Sequence, residues 1–320
     1  MICKPGVKLN FGLSVLRRRE DGYHDLETLF VPCPQFHDTL EIVTGDGYSE
    51  TSARLFSRYG PLSDNAVSGG VSGCDEDCAP QLAQRISPDG KLMITIARAE
   101  GINWDPLNDL TAKAYRLLAA DFNLPPVKIF LEKTSPVGAG LGGGSADAAF
   151  ALNVLNENFS LGLSQEQLAS YATRLGSDTA FFIFNKPMFG TGRGELLSPL
   201  DSILDGAHSD FSLVDYDGTK PQLPYEVKVI APEGIAVSTA DAYKGIVTRE
   251  ATSEGKALSL SDALKRPISE WKNCLVNDFE KTVFVKHPEL DAIKKSLYDS
   301  GAIYASMSGS GSALFAIYSR

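Results

Sequence analysis

From its first strand onward the chain changes period several times. Residues 7 to 16 (VKLNFGLSVL) alternate apolar and polar positions and predict an opening strand, and the β-branched stretches Thr39 to Val43 and Leu92 to Ala97 predict two more. The last two are expected to pair as a hairpin around residues 44 to 90, whose middle, DNAVSGGVSGCDEDCA, is small, polar and turn-forming and predicts a surface insert. The period then becomes helical over Asn108 to Asp121, with Leu110, Ala114, Leu117 and Leu118 on one side, and Val127 to Leu131 returns as a strand. After a glycine-rich stretch, Ala148, Ala151, Leu152 and Leu155 fall at i, i+3, i+4 and i+7, so a helix follows with one face inward. A second helix starts at Ser164 in a capping box with Gln167, turns Leu168, Tyr171, Ala172 and Leu175 inward and stops at Gly176. AFFIF (180 to 184) and MFGTGRGELL (188 to 197) read as the arms of a hairpin. Beyond about residue 200 come a strand at 226 to 231, helical pieces from 238, 261 and 274, a helix at 288 to 299 closed by Gly301, and strands at 302 to 306 and 313 to 318. An α+β protein of two domains, 1–198 and 199–320, is predicted.

Composition narrows the function. Thirty basic against forty acidic residues give a net charge of −10, which argues against a protein built to grip nucleic-acid backbones. The longest strongly apolar run is six residues, Ala313 to Tyr318, far short of the roughly 18 to 20 that span a bilayer. No apolar stretch follows Lys4-Pro5 as a cleavable signal would require, so a cytoplasmic enzyme with no membrane partner is expected. Five cysteines, at 3, 33, 74, 78 and 274, predict thiols rather than a disulfide framework. Cys74-Asp-Glu-Asp-Cys78 resembles half of a metal site, without a second pair to complete it.

The chemistry concentrates in VGAGLGGGSADAA, where Gly138, Gly140, Gly142, Gly143 and Gly144 fall within seven residues between a strand and a helix. The spacing formally fits a dinucleotide fingerprint, but no second strand ending in an acid follows about 20 residues on. A Walker loop fails because Gly144 stands where the lysine belongs, and a nucleophile elbow fails because Asp147 stands where its last glycine belongs. What remains is general physics: glycines let backbone N–H groups close on an anion, and the start of a helix favours negative charge. Phosphate is the natural guest, against the plainer alternative of a tight turn packed by glycines.

Pro136-x-x-x-Gly140-Leu141-Gly142-Gly143-Gly144-Ser145-x-Asp147-Ala148-Ala149 resembles the phosphate-binding motif of the GHMP kinase superfamily. Lys4-Pro5-x-x-Lys8-Leu9-Asn10 and Met307-Ser308-Gly309-Ser310-Gly311-Ser312 resemble its other two motifs. Asp21-Gly22-Tyr23-His24-Asp25-Leu26-Glu27-Thr28-Leu29-Phe30, Leu175-Gly176-Ser177-Asp178-Thr179-Ala180-Phe181-Phe182 and Lys272 to Glu280 are similar to the branch acting on 4-diphosphocytidyl-2-C-methyl-D-erythritol.

The resemblance implies a ribosomal protein S5 domain 2-like N-terminal domain, a ferredoxin-like C-terminal domain and substrates bound between them. It implies an ATP-dependent kinase of the non-mevalonate isoprenoid route, phosphorylating the 2-hydroxyl of that cytidine diphosphate methylerythritol. Asp178 would orient or deprotonate the hydroxyl, and Lys8 would neutralise charge near the γ-phosphate. Pro136, Gly138, Gly140, Leu141, Gly142, Gly143, Gly144 and Ser145 would hold ATP, which brings Mg²⁺ with it, and the Ser145 hydroxyl is a candidate ligand of that ion. Asn10, Tyr23, His24 and Tyr243 would contact the cytidylated substrate, Tyr23 and Tyr243 by stacking and His24 at the base edge. A homoserine or mevalonate kinase needs no cytosine clamp, so Tyr23-His24 separates that alternative. A non-catalytic protein reusing the fold is expected to lose Lys8 or Asp178, and both are present.

Overall fold

A computed structural model of the chain describes residues 1–44, 49–62, 79–249 and 258–320. The strands among them, in chain order, are β1 (Ile2–Cys3), β2 (Gly6–Arg18), β3 (His24–His37), β4 (Thr39–Thr44), β5 (Leu82–Ile86), β6 (Leu92–Arg98), β7 (Val127–Lys133), β8 (Met188–Thr191), β9 (Leu196–Pro199), β10 (Val214–Asp215), β11 (Tyr225–Ile230), β12 (Tyr304–Met307) and β13 (Leu314–Ser319). The chain forms two compact units, each assembled from separated segments.

The first unit comprises Met1–Gly6, Phe36–Ser135 and Gly143–Phe184. Its sheet runs β1-β4-β7-β6-β5, so β7, buried along almost its whole length, is the middle strand. β6 and β7 are parallel, which requires a crossover, and the helix Leu110–Ala119 supplies it. β4 lies antiparallel on the other side of β7, from Thr39 opposite Glu132 to Thr44 opposite Val127. The expected hairpin between 39–43 and 92–97 is therefore wrong: β7 stands between them, and β6 takes β5 as its antiparallel partner.

The expected insert is also corrected at its flanks. The helix Glu50–Tyr59, capped by the Ser49 hydroxyl, sends Leu55 into a buried cluster with Leu82, Ala97 and Phe130. Burying one leucine stabilises a fold by roughly 1.5 to 3 kcal/mol, so these flanks belong to the core. Their short apolar pattern was masked by the long polar middle, most of which, with Cys74 and Cys78, lies outside the described residues.

Helices Gly143–Asn158, Gln165–Thr173 and Thr179–Phe184 complete this unit, and the predicted Ser164–Gln167 capping box is present. AFFIF is thus helix rather than strand. Thr179, Ala180, Phe181, Phe182 and Ile183 are all buried, and a segment covered on every side carries no period from which its type can be read.

The second unit comprises Val7–Gln35, Pro136–Gly142 and Asn185–Arg320. One sheet runs β2-β3-β8-β9, and another runs β10-β11-β13-β12. β8 and β9 form the hairpin that includes Thr191 to Leu196, so MFGTGRGELL pairs with itself and with β3. The fourteen-residue β3 has no counterpart among the predicted elements, because Pro32 and Pro34 interrupt its alternation. Phe11, Phe211, Tyr304 and Phe315 pack ring to ring inside the unit, and Leu13, Val15, Phe279, Leu290 and Leu314 belong to a second buried cluster.

Candidate active site

Lys8 stands on β2, and an alternating strand would ordinarily send such a lysine to solvent. Instead it is 3% exposed. Its Nζ donates to the Gly140 carbonyl at 2.7 Å and to Asn10 Oδ1. Asn10 Nδ2 donates in turn to Thr28 Oγ1 at 2.9 Å, and the Thr28 hydroxyl donates to the Gly12 carbonyl at 2.7 Å. The backbone closes the same socket: Lys8 N–H donates to the Leu141 carbonyl, Asn10 N–H to Ser308 Oγ, and Ala313 N–H to the Ala139 carbonyl. Three separate sequence motifs therefore meet within the second unit, joined by Thr28, which the sequence reading placed in a motif but gave no role of its own.

Glycine is required here for packing. Gly140 has φ +73°, and a Cβ on it would stand 2.3 Å from the Ser308 carbonyl oxygen and 2.9 Å from Gly311 N. Backbone atoms cannot swing aside as a side-chain tip can. Gly140→Ala is expected to cost about 2 to 4 kcal/mol, from overpacking together with left-handed strain. Urea denaturation measures it, and a cost below about 0.5 kcal/mol would mean that the two loops do not interlock.

Pro136, Gly138 and Gly142 lie on the same loop, with positive φ at both glycines. Gly143 is different: it opens the helix Gly143–Asn158, and its missing Cβ would meet Ser135 Oγ at 2.7 Å. Gly144 is exposed and Ser145 half-buried in the first helical turn, where N–H groups have no intrahelical acceptor. The start of this helix, where free N–H groups favour negative charge, is built on a buried base. In the first unit, Lys133 at the end of β7 hydrogen-bonds both Asp38 and Asp147, the latter in the turn that follows Ser145. Asp38 also accepts from Thr134 N–H, Ser135 N–H and the Ser135 hydroxyl.

One ammonium faces two carboxylates in that base. Burial pushes the Asp147 carboxyl well above the usual carboxylate range, outweighing the pull of Lys133, and Asp38 adds to the rise. Burial also opposes the charge on Lys133, but Asp147 and Asp38 more than offset it and raise its pKa.

Asp178 is half-buried immediately before the helix Thr179–Phe184. Two residues ahead of it, a Cβ on Gly176 would lie 3.9 Å from Ser145 Oγ, so the first unit brings the Ser145 hydroxyl beside the stretch carrying Asp178. A hydroxyl at the head of a helix suits a magnesium ion that keeps water and phosphate as its other partners. Among the described residues no group of three or more His, Cys, Asp or Glu could hold a metal by itself. Among the described residues Cys3, Cys33 and Cys274 stand outside any disulfide; burial, then the charge of Asp147, pushes the Cys3 thiol up to about 12.

The aromatic residues gather within the second unit. His24 and Tyr243 stack at 4.7 Å between ring centroids with 14° between planes, and Tyr243 meets Phe279 edge-on. Tyr23 is 57% exposed, with the Arg193 guanidinium 5.0 Å from its ring centre. Tyr23 and His24 thus have different neighbours, and Tyr243 partners the histidine. Burial, then Arg18, lowers the His24 pKa, which favours the neutral imidazole.

The GHMP kinases N terminal domain family matches residues 109–186, and the GHMP kinases C terminal family matches residues 259–320. A 4-diphosphocytidyl-2-C-methyl-D-erythritol kinase of Bacteroides fragilis is 40% identical over 319 residues, covering 100% of this chain and 92% of its own. The kinase of that name from Bacteroides thetaiotaomicron is 38% identical, with 99% and 92% covered. A crystal structure of a 4-(cytidine 5'-diphospho)-2C-methyl-D-erythritol kinase aligns with a TM-score of 0.64 at 26% identity, over 99% of this chain and 89% of that one. Identity of this order along the whole length, in a chain that keeps all three glycine-lined motifs in place, makes it a member of the GHMP kinase family, among the 4-diphosphocytidyl-2-C-methyl-D-erythritol kinases.

Proposed function

We propose that the chain transfers the γ-phosphoryl group of ATP to the 2-hydroxyl of 4-diphosphocytidyl-2-C-methyl-D-erythritol in the cytoplasm, as a step of the non-mevalonate route to isoprenoid precursors. The observation that carries this reading is the Lys8 socket, in which Asn10 and Gly140 hold one buried ammonium and Ser308 of the third family motif is bonded to Asn10 beside it. Residues 1–198 carry ATP binding and catalysis, and residues 199–320 add substrate contacts through Tyr243. The partners are the two small molecules, without nucleic acid or membrane. Among the described residues no helix is long and apolar enough to cross a membrane.

The loose transition state of phosphoryl transfer leaves the protein mainly positioning and charge stabilisation to supply. Backbone N–H groups from Gly138 to Ser145 hold the phosphates. Asp178 orients the hydroxyl and receives its proton as the new O–P bond forms and ADP departs with the bridging oxygen. Lys8, held by Asn10 and Gly140, offsets the charge on the reacting groups. Ser145 would hold a magnesium ion together with the phosphates, and that ion would supply further neutralisation of phosphate charge. Asn10, Tyr23, His24 and Tyr243 hold the cytidylated acceptor.

ADP release measured with the cytidylated methylerythritol, mevalonate and homoserine tests the reading. Stimulation is expected from the first alone, and equal stimulation by mevalonate would overturn it. Tyr23→Ala should raise the acceptor KM roughly fivefold or more at unchanged ATP KM, the loss of about one stacked base. An unchanged acceptor KM would remove Tyr23 from the site.

A further inference from the structure

We infer that Asn277 is a positioning residue for Lys8, acting through the loop that follows β12; the inference rests on the phosphotransfer reading, which gives Lys8 its role. Asn277 is 1% exposed, and its amide is spent on backbone. Nδ2 donates to the Met307 and Gly309 carbonyls, both at 2.8 Å, and Oδ1 accepts from Phe279 N–H at 3.0 Å. The segment around it is fixed to β2: Leu13 N–H donates to the Val276 carbonyl at 3.0 Å, and Asp278 N–H to the Leu13 carbonyl at 2.8 Å. One side chain thus ties the strand carrying Lys8 and Asn10 to the loop that closes over them.

That loop needs a tether. Gly309 and Gly311 both have positive φ, and glycines lose more conformational freedom on ordering than other residues. Gly309 also has no room to drift. A Cβ on it would stand 2.9 Å from the Gly140 carbonyl oxygen, 3.1 Å from Lys8 Nζ and 3.2 Å from Asn10 Oδ1. A small displacement of Gly309 therefore either presses on the ammonium or opens its socket. Asn10 N–H, bonded to the neighbouring Ser308 hydroxyl, moves with it. Asparagine suits the task because its amide offers two donors from one nitrogen to two carbonyls of one loop, which aspartate does not.

The test uses Asn277→Ala and Asn277→Ser in the full chain. Thermal melting reports folding, steady-state ADP release reports kcat and both KM values, and mass spectrometry follows acetylation of Lys8 by dilute acetic anhydride. The exposed Lys295 serves as the internal standard. Folded variants should show Lys8 acetylated several-fold faster than in wild type, kcat at least tenfold lower, and both KM values within threefold. Unchanged Lys8 reactivity, or kcat within threefold in a folded variant, would overturn the inference. Failure of both variants to fold would overturn it too, by assigning Asn277 to stability alone. If wild type turns over no cytidylated acceptor, the phosphotransfer reading fails, and Lys8 reactivity by itself then decides whether Asn277 positions the lysine.

Discussion

Lys133→Met is expected to cost about 3 to 5 kcal/mol of stability, because it strands two carboxyl groups in the interior without their cation. Lys133, Asp38 and Asp147 side chains are 5%, 1% and 1% exposed, so water cannot replace the lost partner. Asp147 Oδ1 already has no hydrogen-bond partner among the described residues. Urea denaturation at neutral pH measures the loss, and a change below 1 kcal/mol would show that the cluster is not held by its charge. Asp147→Asn is the control, since it keeps the shape and removes the surplus acid. The folded-state pKa of Asp147 is raised, so its contribution to stability is full below the ordinary aspartate pKa and is lost as pH rises through the raised value. The stability of Asp147→Asn relative to wild type should accordingly improve as pH rises.

Asp178→Asn is expected to lower turnover by roughly 10² to 10⁴, the usual range for general-base assistance, while ATP affinity stays within threefold. The amide keeps the size of the side chain and its place before the helix Thr179–Phe184, so folding should be preserved. Pre-steady-state quench with the cytidylated acceptor, together with direct ATP titration, separates the two effects. Turnover within threefold of wild type would remove Asp178 from the acceptor side.

Much of the second half of the fold was legible, because its elements are amphipathic and end at clear signals. The helix Pro288–Asp299 and strands β12 and β13 lie within two residues of their predicted places. Failures came where burial is two-sided or pairing is distant. AFFIF has no polar face, and no pattern within 39–43 could show that its partner is β7 rather than β6. The site was legible as residue types but not as an assembly: Lys8 reaches Gly140 across 132 positions, and Asn10 reaches Ser308 across 298. Nothing in the sequence pairs Lys133 with Asp38 and Asp147, since composition does not reveal that a lysine and two acids share one buried cluster.

The order in which the units are threaded has a cost during synthesis. β2 and β3 belong to a unit whose next strands, β8 and β9, are made only after residues 36 to 184 have formed most of the other unit. At a ribosomal rate of about 5 to 20 residues per second, that interval lasts roughly 7 to 30 s. Throughout it the Thr28–Phe30 edge of β3 awaits its partners Met188–Gly190, and Leu29, Phe30 and Val31, all buried in the finished protein, lack their cover. An unpaired apolar strand edge is a template for association with other chains. The nascent protein therefore exposes an unpaired apolar edge for longer than two domains laid end to end would, most of all when synthesis is slow, and neither unit can be produced by simple truncation.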